Sequence, residues 1–172
     1  MERYKVFRAD HIDPVLMDTL FNFLKTDCNA YVNFERDIFN NCDIHIFTIM
    51  DHRINNIKGI IGIRETTTDE INIDRLDYYS LPHKGLYSIE FIHIFDLLGK
   101  ELKQKAFSEL LKASIADKND GFTFFIPKCP ITNTDPIYAA LIKNNFKLYH
   151  SIKSKSPLIM FIRPPKVRND NS

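Results

Sequence analysis

Ser88–Phe146 reads SIEFIHIFDLLGKELKQKAFSELLKASIADKNDGFTFFIPKCPITNTDPIYAALIKNNF. Its apolar pattern changes period three times. Ser88–Phe95 is rich in β-branched and aromatic residues and predicts a strand. Leu102, Phe107, Leu110, Leu111 and Ile115 then recur at helical spacing, with small residues where the helix opens. Gly121–Pro127 is a second strand. Asn133-Thr134-Asp135-Pro136 opens a second helix, which closes at Asn144-Asn145-Phe146. A βαβα unit sets a helix N-terminus beside a strand end, where free N–H groups can hold a phosphate. The pattern points to a phosphorylated cofactor, although any α/β protein has such corners.

Working outward, Tyr4–Arg8 alternates weakly and predicts a first strand. Asp13-Pro14 suits a helix start, followed by Leu16, Leu20, Phe23 and Leu24 at helical spacing. Tyr31–Phe39 is expected to hold a shorter helix. Ile44–Met50 and Ile57–Ile63 form an antiparallel hairpin through a turn at Asn55-Asn56. Glu70–Asp74 alternates and is either a strand or a surface excursion. Phe146–His150 and Pro157–Ile162 are the last strands, separated by the polar turn Ser151–Ser156. The order is β, α, α, β, β, β, α, β, α, β, β. The expected fold is α/β (α+β): one domain over 1–163, with a mixed, largely antiparallel twisted sheet of six or seven strands flanked by helices. The polar, proline-led tail 164–172 is expected to be disordered.

With 172 residues and a net charge of +1, the chain gives no whole-chain argument for nucleic acid or for an anionic membrane. No apolar run reaches spanning length, and MERYKVFRAD lacks an apolar signal core. A soluble, cytoplasmic protein is the expectation. Cys28, Cys42 and Cys129 have no metal-ligand spacing and read as reduced thiols. No metal is expected.

The element order resembles the GCN5-related N-acetyltransferase (GNAT) fold over roughly residues 4–162. Members carry Arg/Gln-x-x-Gly-x-Gly/Ala where the first helix of the βαβα unit opens, and its amides hold the acetyl-CoA pyrophosphate. Small residues let phosphate approach, and the helix dipole favours the charge. One register sets Lys103, Ala106 and Ser108 at these positions and lengthens the preceding loop. The other uses Leu98-Gly99-Lys100-Glu101, keeps the loop short and brings Glu101 near phosphate. The first is preferred, and neither keeps both family glycines. Downstream, Asn133 and Asn145-Phe146 match the family's Asn and Gly-Phe, since Asn tolerates the left-handed conformation. Leu141 stands where many members have a general-acid Tyr, and Tyr138 lies one turn earlier on nearly the same face.

The resemblance implies acetyl-CoA or another acyl-CoA as co-substrate. It also implies an amine acceptor, either a small molecule or a protein or peptide amine. Glu90, on an apolar strand, is the candidate base, with an ion pair as the bland alternative. Strand alternation sets His93 on the opposite face from Glu90, in a structural role. The amides of Ile92 and Ile94 are candidate donors to pantetheine or the thioester oxygen. Lys100, Lys103 and Lys105 face either phosphate or solvent. Tyr78, Tyr79 and Tyr87 flank a loop and either line an acceptor pocket or serve core and surface packing. Two other readings stay open: a non-catalytic module of the same fold, and an acyl carrier protein as donor, met by Lys100, Lys103, Lys105 and Lys112. A homodimer is compatible with the sequence.

Overall fold

A computed structural model describes residues 3–9, 31–32, 44–51, 53–54, 56–67, 85–95, 99–127, 130–151 and 158–166. The elements are β1 (Tyr4–Ala9), β2 (Tyr31–Val32), β3 (Ile44–Asp51), β4 (Asn56–Glu65), β5 (Leu86–Ile94), α1 (Lys100–Ile115), β6 (Phe122–Phe125), α2 (Pro136–Lys143), β7 (Lys147–Ser151) and β8 (Leu158–Arg163). Seven strands form one sheet in the order β1-β3-β4-β5-β6-β8-β7, and β2 pairs with β5 off this path. Among the described strands only β5 and β6 pair in parallel, as the helical crossover between them requires.

Position in the sheet explains each strand's composition. Central β4 is buried continuously from Gly59 to Ile63, so it reads as an apolar run and not as an alternation. Helices α1 and α2 cover one face. Phe107, Leu110, Leu111 and Ile115 from α1 join Ile137, Ala140 and Leu141 from α2 over Ile61, Ile63, Ile89, Ile92, Ile94, Phe125 and Phe161. Each large apolar side chain buried there contributes about 1.5–3 kcal/mol. Leu86, Phe124, Met160 and Ile162 cluster on the other face.

Helix α2 ends in a Schellman motif. The Phe146 N–H donates to the Leu141 carbonyl (3.0 Å) and the Asn145 N–H to that of Ile142 (3.1 Å). Asn145 takes φ +67°, and the flanking Leu141 and Phe146 are buried in one cluster. This is the left-handed site expected from Asn145-Phe146. Asn145→Val should lower stability by about 1–2 kcal/mol, because a β-branched residue resists positive φ. An unchanged urea midpoint would contradict this account of the helix end.

One expectation is corrected: Tyr31–Val32 is a strand and not the start of a helix. Just past β8, the Lys166 N–H donates to the Asn119 carbonyl at 2.8 Å. The helix from Asp13, the rest of Tyr31–Phe39, Glu70–Asp74, Tyr78, Tyr79 and the tail beyond Lys166 lie outside the described residues.

Candidate active site

Leu86–Ile89 of β5 pair with Phe122–Phe125 of β6. Strand β6 ends there, while β5 runs on to Ile94. The two strands are followed by α1 and α2, so both helix N-termini lie toward this end of the sheet. Ligands of open α/β sheets bind at the carboxyl ends of parallel strands.

The backbone of β5 has a direction here. The Phe95 N–H donates to the Lys58 carbonyl at 2.7 Å, toward β4. Successive residues of a strand send their polar backbone groups to opposite edges. His93 therefore also faces β4, while Ile92 and Ile94 face the edge that β6 has left. The same edge carries β2, with Tyr31 opposite Ile92 and Val32 opposite Phe91. Ile94 lies beyond that pairing.

Glu90 occupies a bulge. Ile63 pairs with Ile89 and Gly62 with Phe91, leaving Glu90 as the extra residue on β5. Its Oε1 accepts from Arg64 Nε at 2.6 Å, and both side chains are largely buried. Ile61 and Ile63 belong to the helix-side core, so Arg64 and Glu90 lie on the opposite face. His93, between helix-side Ile92 and Ile94, lies there too, its ring edge-on to Phe95 at 4.7 Å. The expected placement of His93 opposite Glu90 is thus corrected, because the bulge adds one residue to the alternation. Glu90 sits in the ion pair that was its bland alternative.

The start of α1 bears on the two registers weighed for a phosphate turn. Helix α1 starts at Lys100 behind Gly99, which has φ +91° and ψ 135°. The Lys103 N–H donates to the Gly99 carbonyl at 3.2 Å and opens the intrahelical ladder. The amides of Lys100, Glu101 and Leu102 precede it. A Cβ on Gly99 would meet nothing within 4 Å, so this glycine answers to its φ and not to crowding. Ala106 and Ser108 are buried farther along α1, where helical geometry commits backbone amides to the preceding turn. Their smallness has another cause. Ala106 packs in the core, and Ser108 Oγ accepts from Asn144 Nδ2 at 3.1 Å across the α1–α2 contact. Lys103 is half-buried in the same helix. Lys103, Ala106 and Ser108 therefore lie within α1, and the amides free of intrahelical partners are those just behind Gly99. Glu101 is exposed and pairs with Lys105 at 3.7 Å, which offsets part of its repulsion.

Before α2, Thr132 and Asp135 bond reciprocally. The Thr132 N–H donates to Asp135 Oδ2 (2.8 Å), and the Asp135 N–H to the Thr132 carbonyl (3.1 Å). Asn133 is exposed between them. Tyr138 is half-buried in the first turn of α2, with its ring edge-on to Phe161 at 6.0 Å. Toward the start of β5, Tyr87 lines a cavity of about 160 Å³ with His45, Arg64, Glu65 and Lys118. Burial, then Asp120, Glu65 and Asp117, push the Tyr87 phenol above its usual range. Sequence reasoning passed over Arg64, the bulge and β2. An Arg at the end of an apolar strand was the one available signal.

No family model matches the sequence, and no curated protein matches it. Solved structures do. Arabidopsis thaliana NAA60 in complex with acetyl-CoA is 15% identical, covers 92% of this chain and 96% of its own, and superposes at TM-score 0.53. FeeM, an N-acyl amino acid synthase from uncultured soil microbes, is 11% identical over 94% and 91%, at 0.56. A Desulfovibrio desulfuricans protein assigned to the GNAT family of acetyltransferases is 11% identical over 94% and 98%, at 0.52. The parting of parallel β5 and β6 ahead of two helix N-termini lies within this shared frame, and the chain carries the GNAT fold.

Proposed function

We propose that this chain is an acyl-CoA-dependent N-acyltransferase whose acyl-CoA substrate lies along β5 beyond Ile89. The observation that carries the reading is the parting of β5 from β6 ahead of the N-terminus of α1. The outward-facing backbone of Ile94, and of Ile92 where β2 yields it, would hold the pantetheine amides and polarise the thioester carbonyl. The amides of Lys100, Glu101 and Leu102 would hold the diphosphate, with Lys100 adding charge. Tyr138, on the first turn of α2, is the proposed acid that returns a proton to the departing thiolate. Asn133, exposed ahead of α2, would border the same mouth. With Oε1 bonded to Arg64, Glu90 is assigned to holding the bulge and not to direct proton abstraction. The reaction joins a neutral amine nitrogen to the acyl carbon as the C–S bond breaks; the nitrogen sheds one proton to water, and Tyr138 regains from water the proton it gives the thiolate. The acceptor, small amine or protein amine, would enter from the Arg64–Tyr87 side.

Pairing of β2 with Ile92 favours one second reading, a non-catalytic module whose cleft edge is covered by its own chain. Thiol release from acetyl-CoA with a panel of primary amines separates the two. Amine-dependent turnover supports the transferase. Acetyl-CoA binding without turnover on any amine supports the module. Within the leading reading, Gly99→Ala should weaken acetyl-CoA binding about tenfold, because alanine resists positive φ and tilts the first amides. Undiminished affinity would remove this turn from the phosphate site.

A further inference from the structure

We propose that the cavity at the C-terminal ends of α1 and α2 binds a small phosphorylated molecule, held by Arg163. The cavity has a volume of about 410 Å³, and among the described residues its lining sets Lys112, Lys143, Lys166 and Arg163 against the single carboxylate of Glu109. It is far larger than the roughly 30 Å³ a water molecule takes and falls in the usual size range of small-molecule sites. Lys112 lies about 20 Å along α1 from Gly99 at 1.5 Å per residue, so this is not the proposed acyl-CoA diphosphate site.

Arg163 makes the cavity more than a patch of surface lysines. The residue is 4% exposed. Its Nη2 donates to Asn119 Oδ1 at 2.5 Å, while its buried Nη1 has no hydrogen-bond partner among the described residues. Burial pushes its guanidinium pKa below the usual arginine value. A buried cationic donor left unmatched is costly, and an anion is its strongest partner. Directly opposite Arg163 in the β6–β8 ladder is Thr123, whose buried Oγ1 is also unpartnered among the described residues. Two unmatched polar atoms thus lie on paired strands, and Arg163, which carries one of them, lines the cationic cavity.

The helix ends work against an anion, since their carbonyls carry partial negative charge. Lys112 and Lys143, in the last turns of α1 and α2, offset that field. Asn144 Nδ2 donates to the Ala140 carbonyl at 2.8 Å and removes one acceptor. The excess of four cationic groups over one carboxylate suits a phosphate dianion better than a single carboxylate.

The probe is inorganic phosphate, compared with chloride at equal ionic strength, read by thermal melting and by amide shifts in NMR. The proposal expects phosphate to raise the Tm of the wild type and to shift amides of Lys112–Asn119 and Lys143–Asn145. Arg163→Met should abolish both effects, and Lys143→Glu should weaken binding at least tenfold. Gly99→Ala should change neither, which separates this site from the acyl-CoA cleft. Should Arg163→Met fail to fold, Lys143→Glu and Lys166→Glu decide. An equal response to chloride overturns the proposal, as does an undiminished response in Lys143→Glu. So does a response lost in Gly99→Ala, or none in the wild type.

Discussion

Ala106→Glu should leave the chain without a cooperative melt at neutral pH. Ala106 is fully buried, within the α1 core among Phe107, Leu110 and the sheet isoleucines. A carboxylate there must either stay charged in an apolar setting or take up a proton. Either route costs several kcal/mol, a large share of a domain's usual 5–15 kcal/mol. Helix propensity barely enters, since Glu is a good helix former. Ala106→Gly, which leaves no buried charge, should cost only about 1 kcal/mol. Circular dichroism against temperature measures both. A wild-type melt for Ala106→Glu would mean that this position faces solvent or ligand, and would restore the abandoned phosphate register.

Glu90→Ala should cost about 3–5 kcal/mol, the usual loss when one partner of a buried ion pair is removed. The stranded charge is Arg64, itself only 13% exposed. Replacing both partners, Arg64→Met with Glu90→Leu, should recover most of the loss, because neither change then strands a charge. Urea denaturation of the two singles and the double gives the coupling directly. A Glu90→Ala cost under about 1 kcal/mol would mark the pair as solvated. Kinetics supply an independent reading. Glu90→Gln should keep kcat within a few-fold of wild type if Glu90 only holds the bulge. A fall of about 10²-fold with acetyl-CoA affinity intact would return it to the role of base.

Periodicity carried most of the architecture. The isoleucine runs of β3, β4 and β5, the helical spacing from Leu102 to Ile115 and the Asp135-Pro136 start are local signals that tertiary packing did not override. The parallel β5–β6 pairing followed from the crossover helix between them. The site was less accessible for a physical reason: its geometry depends on registers between distant segments. Nothing local in SIEFIHIF announces that Glu90 bulges out of step with Gly62, or that Tyr31-Val32 returns to the open edge of β5. Ala106 and Ser108 were ambiguous because small residues serve close phosphate approach and close helix packing equally well. Only the start of α1 at Lys100 separates the two uses. Asn145 was readable because one residue type and one helix end suffice to specify it.

The central claim is that the cleft between β5 and the N-termini of α1 and α2 takes acyl-CoA. Calorimetric titration of acetyl-CoA into the wild-type protein tests it most directly, with Gly99→Ala and Lys143→Glu titrated alongside. The account predicts one acetyl-CoA per chain, weakened about tenfold by Gly99→Ala and unchanged by Lys143→Glu. Absence of binding to the wild type at millimolar acetyl-CoA would contradict it.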